Sequence, residues 1–369
     1  MQLSPSPPKF TFYDKDTSLF IIVNLKIFIF NGTTWNNITI DDKNLPNTDF
    51  PILRRPSVSE IYQKDQTKKS LIVTGGFNLQ TKSSSKSVYI LNIFHDKTDN
   101  TSKAFLDLKY NDTNTGRLLH SSANIANKLL IIIGGKNEKG YLNTCEYLDL
   151  VTQKWNAFPS LQSPRANHST TVINNSKLYV YGGYESNGVF VKDKLCYCDV
   201  NISQSNESKW LPLELKMENE NLNILPNACA CIYPYEDNFI ICGGTNGEHL
   251  LNGIFEVKID DIENEKEVPC EKLGELKTPR SNFHMFMKDG DFYVVGGSLK
   301  EYLFNEDKKE INNYIEKFTF SLSGKIDSEN IKVNSDDLIL PLLEMNINTS
   351  SYKSEPGFPF NASILSKDF

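Results

Sequence analysis

Residues Leu129 to Trp155 read LLIIIGGKNEKGYLNTCEYLDLVTQKW. A β-branched, leucine-rich run stops at Gly134-Gly135, a polar loop follows, and a second strand pattern with an aromatic leads to a tryptophan. An unbroken apolar run of this length, closed by glycine, is how a strand buried on both faces looks from sequence. Two adjacent glycines allow positive φ and close backbone approach where such a strand leaves a crowded interior.

The same signature recurs. SLIVTGG, LYVYGG, FIICGG and FYVVGG end at Gly75-Gly76, Gly182-Gly183, Gly243-Gly244 and Gly296-Gly297, so successive glycine pairs lie 59, 48, 61 and 53 residues apart. A second anchor precedes them: Arg117 and Arg165 stand 17 residues before their glycine pairs and Arg280 stands 16 before. Trp35, Trp155 and Trp210 all fall at the fourth strand of a repeat, where a large ring fills the wedge between neighbouring sheets.

With this double glycine, downstream Tyr and Trp, and period near 50, the chain resembles the kelch family, whose repeat builds one four-stranded propeller blade. The resemblance implies an all-β, six-bladed kelch-type β-propeller with antiparallel blades. Residues 1–9 are expected to form a flexible N-terminus and 10–369 a single propeller. Its blades are expected at about 10–50 together with 358–369, then 55–108, 117–160, 164–214, 225–274 and 279–340. The first blade lacks the glycine pair, and a ring left open would expose unpaired strand edges. Asn361 to Ser366 is therefore expected to pair with Leu19 to Val23, with Phe10 to Tyr13 as the alternative source of the missing inner strand. Ser18 to Phe30 reads as two strands, because Asn24 and Lys26 interrupt it well short of the roughly 18 apolar residues of a spanning helix.

Composition sets limits on function. With 39 Lys+Arg against 46 Asp+Glu the formal charge is −7, against the clustered basic surface that nucleic-acid binding requires. Hydrophobic residues make up 39% and charged residues 23%, enough for a packed core. No secretory leader is legible at the N-terminus, and seven scattered cysteines suit reduced thiols, so a cytoplasmic location without membrane insertion is expected. No phosphate loop, H-E-x-x-H, G-x-S-x-G or dinucleotide fingerprint is present. GTTW at Gly32 to Trp35 resembles the second half of the Asp-box of sialidase propellers, but Phe28 and Phe30 replace its Ser and Asp, leaving a turn.

The family presents ligand-contacting loops where the inner strands begin, and the loops after each glycine pair emerge on that same face. The resemblance thus places Arg55, Asn78, Arg117, Arg165, Asn167, Tyr184, Glu185, Thr245, Asn246, Arg280, Ser281 and Asn282 around one mouth. Guanidinium groups there would suit carboxylate or phosphate groups on a peptide; the alternative is that they tie blades together. His120 and His168 each follow a repeat arginine by three residues and are expected to pack rather than bind metal. The C-x-C pairs Cys196/Cys198 and Cys229/Cys231, with Cys242, are expected to be buried thiols rather than a zinc site. The implied function is a non-enzymatic module without cofactor, holding a protein or peptide partner, as kelch proteins do in ubiquitin-ligase receptors and cytoskeletal assemblies. The alternative is an enzyme of the central funnel, mutarotase-like or a metal-assisted lyase, with Glu185 as the nearest acid.

Overall fold

The apolar runs that end in glycine form the second strands of four-stranded antiparallel sheets. The computed structural model describes residues 19–23, 26–30, 35–41, 53–54, 56–61, 68–78, 80–96, 101–107, 110–201, 207–217, 225–259, 267–288, 291–295, 314–320 and 326–332. Among these the regular structure is β-strand throughout, and no helix is long and apolar enough to cross a membrane.

Blade 3 shows the plan. Its inner strand Ser121–Ile125 pairs with Leu129–Ile133, then with Cys145–Asp149, and the sheet ends at Lys154–Phe158. The second strand is buried at every residue, which is why its sequence is continuously apolar rather than alternating. The same order runs through 57–107, 169–217, 231–275 and 284–332, giving five four-stranded units. The outer strands of blades 4 (169–217) and 5 (231–275) reach Met217 and Glu275, past the expected ends at 214 and 274. Leu19–Val23, Lys26–Phe30 and Trp35–Asp41 form a three-stranded unit, so the two strands read within Ser18 to Phe30 are present.

Inner strands of successive units pack side by side in chain order, from 57–61 through 121–125, 169–173 and 231–235 to 284–288. The molecule is therefore an all-β propeller of the kelch type, its apolar cores lying between blade faces. One such core joins Ile131 and Ile133 of blade 3 to Val172, Val180 and Trp210 of blade 4. Phe158 meets the Trp210 ring edge to face at 6.1 Å. The tryptophans also tie backbone: Trp210 Nε1 donates to Pro159 O and Trp155 Nε1 to Asn111 O, both at 2.8 Å. In each case an indole at the fourth strand, Trp155 within Lys154–Phe158 and Trp210 just before Leu211–Met217, holds the connection leaving the preceding blade. Trp35 opens the outer strand of the first unit, as expected from its position in the repeat.

A feature with no sequence signal joins blades at their outer edges. Leu211–Met217 of blade 4 pairs in parallel with Glu267–Glu275 of blade 5, and Trp35–Asp41 pairs in parallel with Thr101–Asp107 of blade 2. Each pairing removes two exposed edges. The segment 1–9 expected to be flexible, both expected sources of the closing strand, Arg55 and Gly296-Gly297 lie outside the described residues.

Candidate partner-binding face

The twin glycines are the joints on which this face is built. Their φ values are +56 and +94 at Gly134 and Gly135, with similar pairs at 75–76, 182–183 and 243–244. In each pair the second glycine donates its N–H to a carbonyl of the next blade: Gly76 to Arg117 and Gly135 to Arg165 at 2.8 Å, Gly183 to Asn227 at 2.9 Å, Gly244 to Arg280 at 2.8 Å. A Cβ on Gly135 would stand 2.7 Å from both Leu118 O and His120 Cβ. Glycine is required by that approach and by positive φ together.

The repeat arginines complete the joint from within. Arg117, Arg165 and Arg280 are fully buried. Arg117 donates to Gly134 O at 2.7 Å, to Thr144 O at 2.9 Å and to Glu146 at 2.5 Å. Arg165 pairs with Asp193 at 2.7 Å and Arg280 with Glu316 at 3.0 Å. Each guanidinium thus clamps its own blade while its backbone carbonyl receives the preceding one. The expectation that these arginines face a peptide at the mouth is corrected: they are internal struts. Burial outweighs the ion pair in setting the Glu316 carboxyl, which is raised above the usual carboxylate range. The acids Glu146, Asp193 and Glu316 were missed by sequence reading. The signal that could have found them is an acid 28 to 36 residues after each repeat arginine, at or just before the third strand.

Two residues beyond each arginine site the chain turns through left-handed backbone at Leu119, Asn167, Cys229 and Asn282, with φ between 54° and 58°. These four residues hand a backbone hydrogen bond from blade to blade: Asn167 N to Leu119 O at 3.0 Å, Cys229 N to Asn167 O at 3.1 Å, and Asn282 N to Cys229 O at 3.0 Å. Asn167, Ser281 and Asn282 are accordingly buried in this belt, not presented at the rim as expected. Cys229 lies in the bend before the inner strand, which begins at Cys231. All seven cysteines are buried and none forms a disulfide. Burial pushes Cys145 and Cys198 up to about 12 and Cys196 up to about 11, as befits core thiols.

His120 and His168 belong to the same seams. His120 Nε2 meets Thr74 Oγ1 of the preceding blade at 3.1 Å, and His168 Nε2 meets Ser121 Oγ at 2.8 Å. Burial first, and then the Arg117 charge, lower the His120 pKa from 6.5 to about 3. The unfolded chain therefore takes up a proton below pH 6.5 that the folded chain refuses until about pH 3. Stability falls as pH falls across that window, by an amount approaching about 1.4 kcal/mol per pH unit from this one group. Denaturant midpoints measured from pH 7 to pH 5 should show the His120→Gln variant losing less stability than the parent chain. Equal slopes would place the neutral imidazole elsewhere. Inner-strand hydroxyls likewise close seams: Ser57 and Ser59 meet Ser122 Oγ at 2.8 and 2.6 Å, and Asn124 donates to Glu60 O at 2.7 Å.

What remains open to a partner among the described residues is a rim of short hairpins, one after each of the four described glycine pairs: Phe77–Asn78 with Ser83–Ser84, Lys136–Asn137 with Gly140–Tyr141, Tyr184–Ser186 with Val189–Phe190, and the turn bridging Thr245 to Leu250. The segment after each arginine site pairs with its own hairpin, Leu118 with Lys136, Ala166 with Tyr184 and Ala228 with Thr245, so both loop sets share one face. Neighbouring hairpins also touch. Ser84 bonds Glu138 through both its N–H and its hydroxyl, the latter at 2.8 Å, and the Tyr141 hydroxyl donates to Asn187 at 3.1 Å. Gly247 leaves room for the Phe190 ring. Asn78, Tyr184, Glu185, Thr245 and Asn246 are partly exposed on this rim. Asn246 Oδ1 accepts from the Glu248 and His249 N–H groups, shaping its own turn.

Residues 22–221, more than half of the chain, match the KLHDC2/KLHL20/DRC7 Kelch-repeats domain. The chain belongs to the kelch-repeat family. Among curated relatives, tRNA wybutosine-synthesizing protein 4 of Candida glabrata is 23% identical over 242 residues, covering 65% of this chain and 33% of the relative. This kelch chain thus spans about a third of the length of the curated relative it matches.

Proposed function

We propose that the chain is a non-enzymatic interaction module that holds a protein or peptide partner on its hairpin rim. The observation that carries this reading is the division of labour just described. Arg117, Arg165, Arg280, His120, His168 and the hydroxyls of Ser57, Ser59, Ser121 and Ser122 are engaged inside the seams, whereas partly exposed amide, carboxylate, aromatic and apolar groups stand together on a rim braced from blade to blade. Val189 is 47% exposed at the hairpin tip beside Tyr184 and Phe190, the kind of apolar anchor that interfaces favour. With the arginines internal, the contact set narrows to Asn78, Tyr184, Glu185, Thr245, Asn246 and their neighbours. A propeller of six blades closed by the C-terminal segment, working in the cytoplasm, completes the proposal; an odd number of scattered, buried cysteines suits a reducing compartment.

The likeness to a protein named for tRNA wybutosine synthesis favours a second reading, in which the propeller is the partner-holding part of such an activity. A formal charge of −7 favours protein over tRNA as what the propeller itself contacts.

Crosslinking and capture of the tagged chain from cells should recover a stoichiometric protein. Glu185→Lys and Val189→Asp should abolish its recovery, whereas Lys128→Glu and Asp237→Lys, on exposed turns at the opposite ends of the inner strands, should not. Recovery of the chain alone, or equal loss with both variant sets, would overturn the rim assignment. A stable tRNA complex at physiological salt would overturn the choice of protein over nucleic acid.

A further inference from the structure

Asparagine followed by glycine is the dipeptide in which the next backbone nitrogen reaches the side-chain amide most easily, because glycine has no Cβ to obstruct it. Four such pairs occur: Asn31-Gly32, Asn187-Gly188, Asn246-Gly247 and Asn252-Gly253. The first lies outside the described residues, and the fold treats the other three very differently.

Asn246 is locked. Its Oδ1 accepts from Glu248 N at 3.0 Å and His249 N at 2.7 Å, and the attacking group, Gly247 N, donates to Thr245 Oγ1 at 3.0 Å. Asn252 is held through Nδ2 by Leu276 O at 3.0 Å and Glu275 at 3.3 Å, and Gly253 begins a buried strand. Asn187 and Gly188 instead form the tip of the blade 4 hairpin, and both are exposed. Gly188 has φ +75, and a Cβ built on it would meet nothing within 4 Å. Among the described residues nothing accepts its N–H, and Asn187 has a single hydrogen bond, accepted from the Tyr141 hydroxyl at 3.1 Å.

We infer that Asn187 is a site of spontaneous deamidation on the rim, and that the folded protein protects Asn246 and Asn252 from the same reaction. Gly188 N, losing its proton, attacks Asn187 Cγ. The new C–N bond closes a succinimide, the Cγ–Nδ2 bond breaks, and ammonia leaves with the proton. Water then opens the ring at either carbonyl to give aspartate or isoaspartate. The product places a carboxylate two residues from Glu185, and the isoaspartate form lengthens the backbone of the tip that carries Val189. The inference does not depend on what the rim binds.

The test is peptide mapping by mass spectrometry of the native full-length chain held at mildly alkaline pH, beside the same chain in denaturant. In the native chain Asn187 should convert at least about tenfold faster than Asn246 or Asn252, since those must first break local hydrogen bonds. In denaturant the three rates should converge, and Asn187→Gln should remove the native signal. An unconverted Asn187 in the native chain, or native conversion at Asn246 or Asn252 at the same rate, would overturn the inference.

Discussion

Replacing Glu146 with alanine should destabilise the propeller by about 3–5 kcal/mol, the range for breaking a buried ion pair by removing one member. Glu146 accepts from Arg117 at 2.5 Å and from the backbone N–H groups of Asn114 and Thr115 at 2.8 and 3.2 Å. All of these lose their acceptor together. The Arg117 side chain, wholly buried, would keep its bonds to Gly134 O and Thr144 O but carry a charge with no counterion. Arg117→Met with Glu146→Leu should recover much of the loss, because no charge is then stranded, although the two backbone N–H groups stay unsatisfied. Urea unfolding of the three forms checks this. A Glu146→Ala variant within about 1 kcal/mol of the parent would mean that the clamp is not closed in solution.

Gly135→Ala should be at least as severe, costing about 3 kcal/mol or more or preventing folding outright. The added methyl group would collide with Leu118 O and His120 Cβ at 2.7 Å in backbone at φ +94, and its neighbours are backbone or packed atoms that cannot swing aside. Gly188→Ala is the control. It too has positive φ but faces open space, so only the left-handed backbone penalty of about 1–2 kcal/mol applies. Melting temperatures of the two variants should separate widely. Similar values would show that positive φ alone, rather than the close approach of Leu118 and His120 within the blade, requires glycine at this position.

These glycines also show why the architecture was legible in the sequence. A steric demand that only glycine meets, repeated in each blade after the first, leaves a periodic mark, and a strand buried on both faces leaves an unbroken apolar run. The tryptophans were legible for a related reason, since one wedge-shaped gap recurs between blades. The arginines were visible but their direction was not. Position in the repeat placed Arg117, Arg165 and Arg280 near the mouth, and whether a guanidinium turns outward to a peptide or inward to a carboxylate depends on an acid 28 to 36 residues away. Those separations vary with loop length, so Glu146, Asp193 and Glu316 form no motif.

The chain of residues by itself therefore determined the blades, their joints and the face on which the post-glycine loops emerge, because these follow from local sterics and strand burial. Only the tertiary structure decided which polar groups are used up and which are free. The belt through Leu119, Asn167, Cys229 and Asn282 is made by backbone atoms, to which side-chain identity is nearly indifferent. The parallel pairing of Leu211–Met217 with Glu267–Glu275 joins strands across an intervening blade's worth of chain. The contrast between exposed Asn187 and locked Asn246 rests on hydrogen bonds that two identical Asn-Gly dipeptides cannot reveal. Each is a contact between segments distant in sequence or a matter of backbone geometry, and neither is written in residue type.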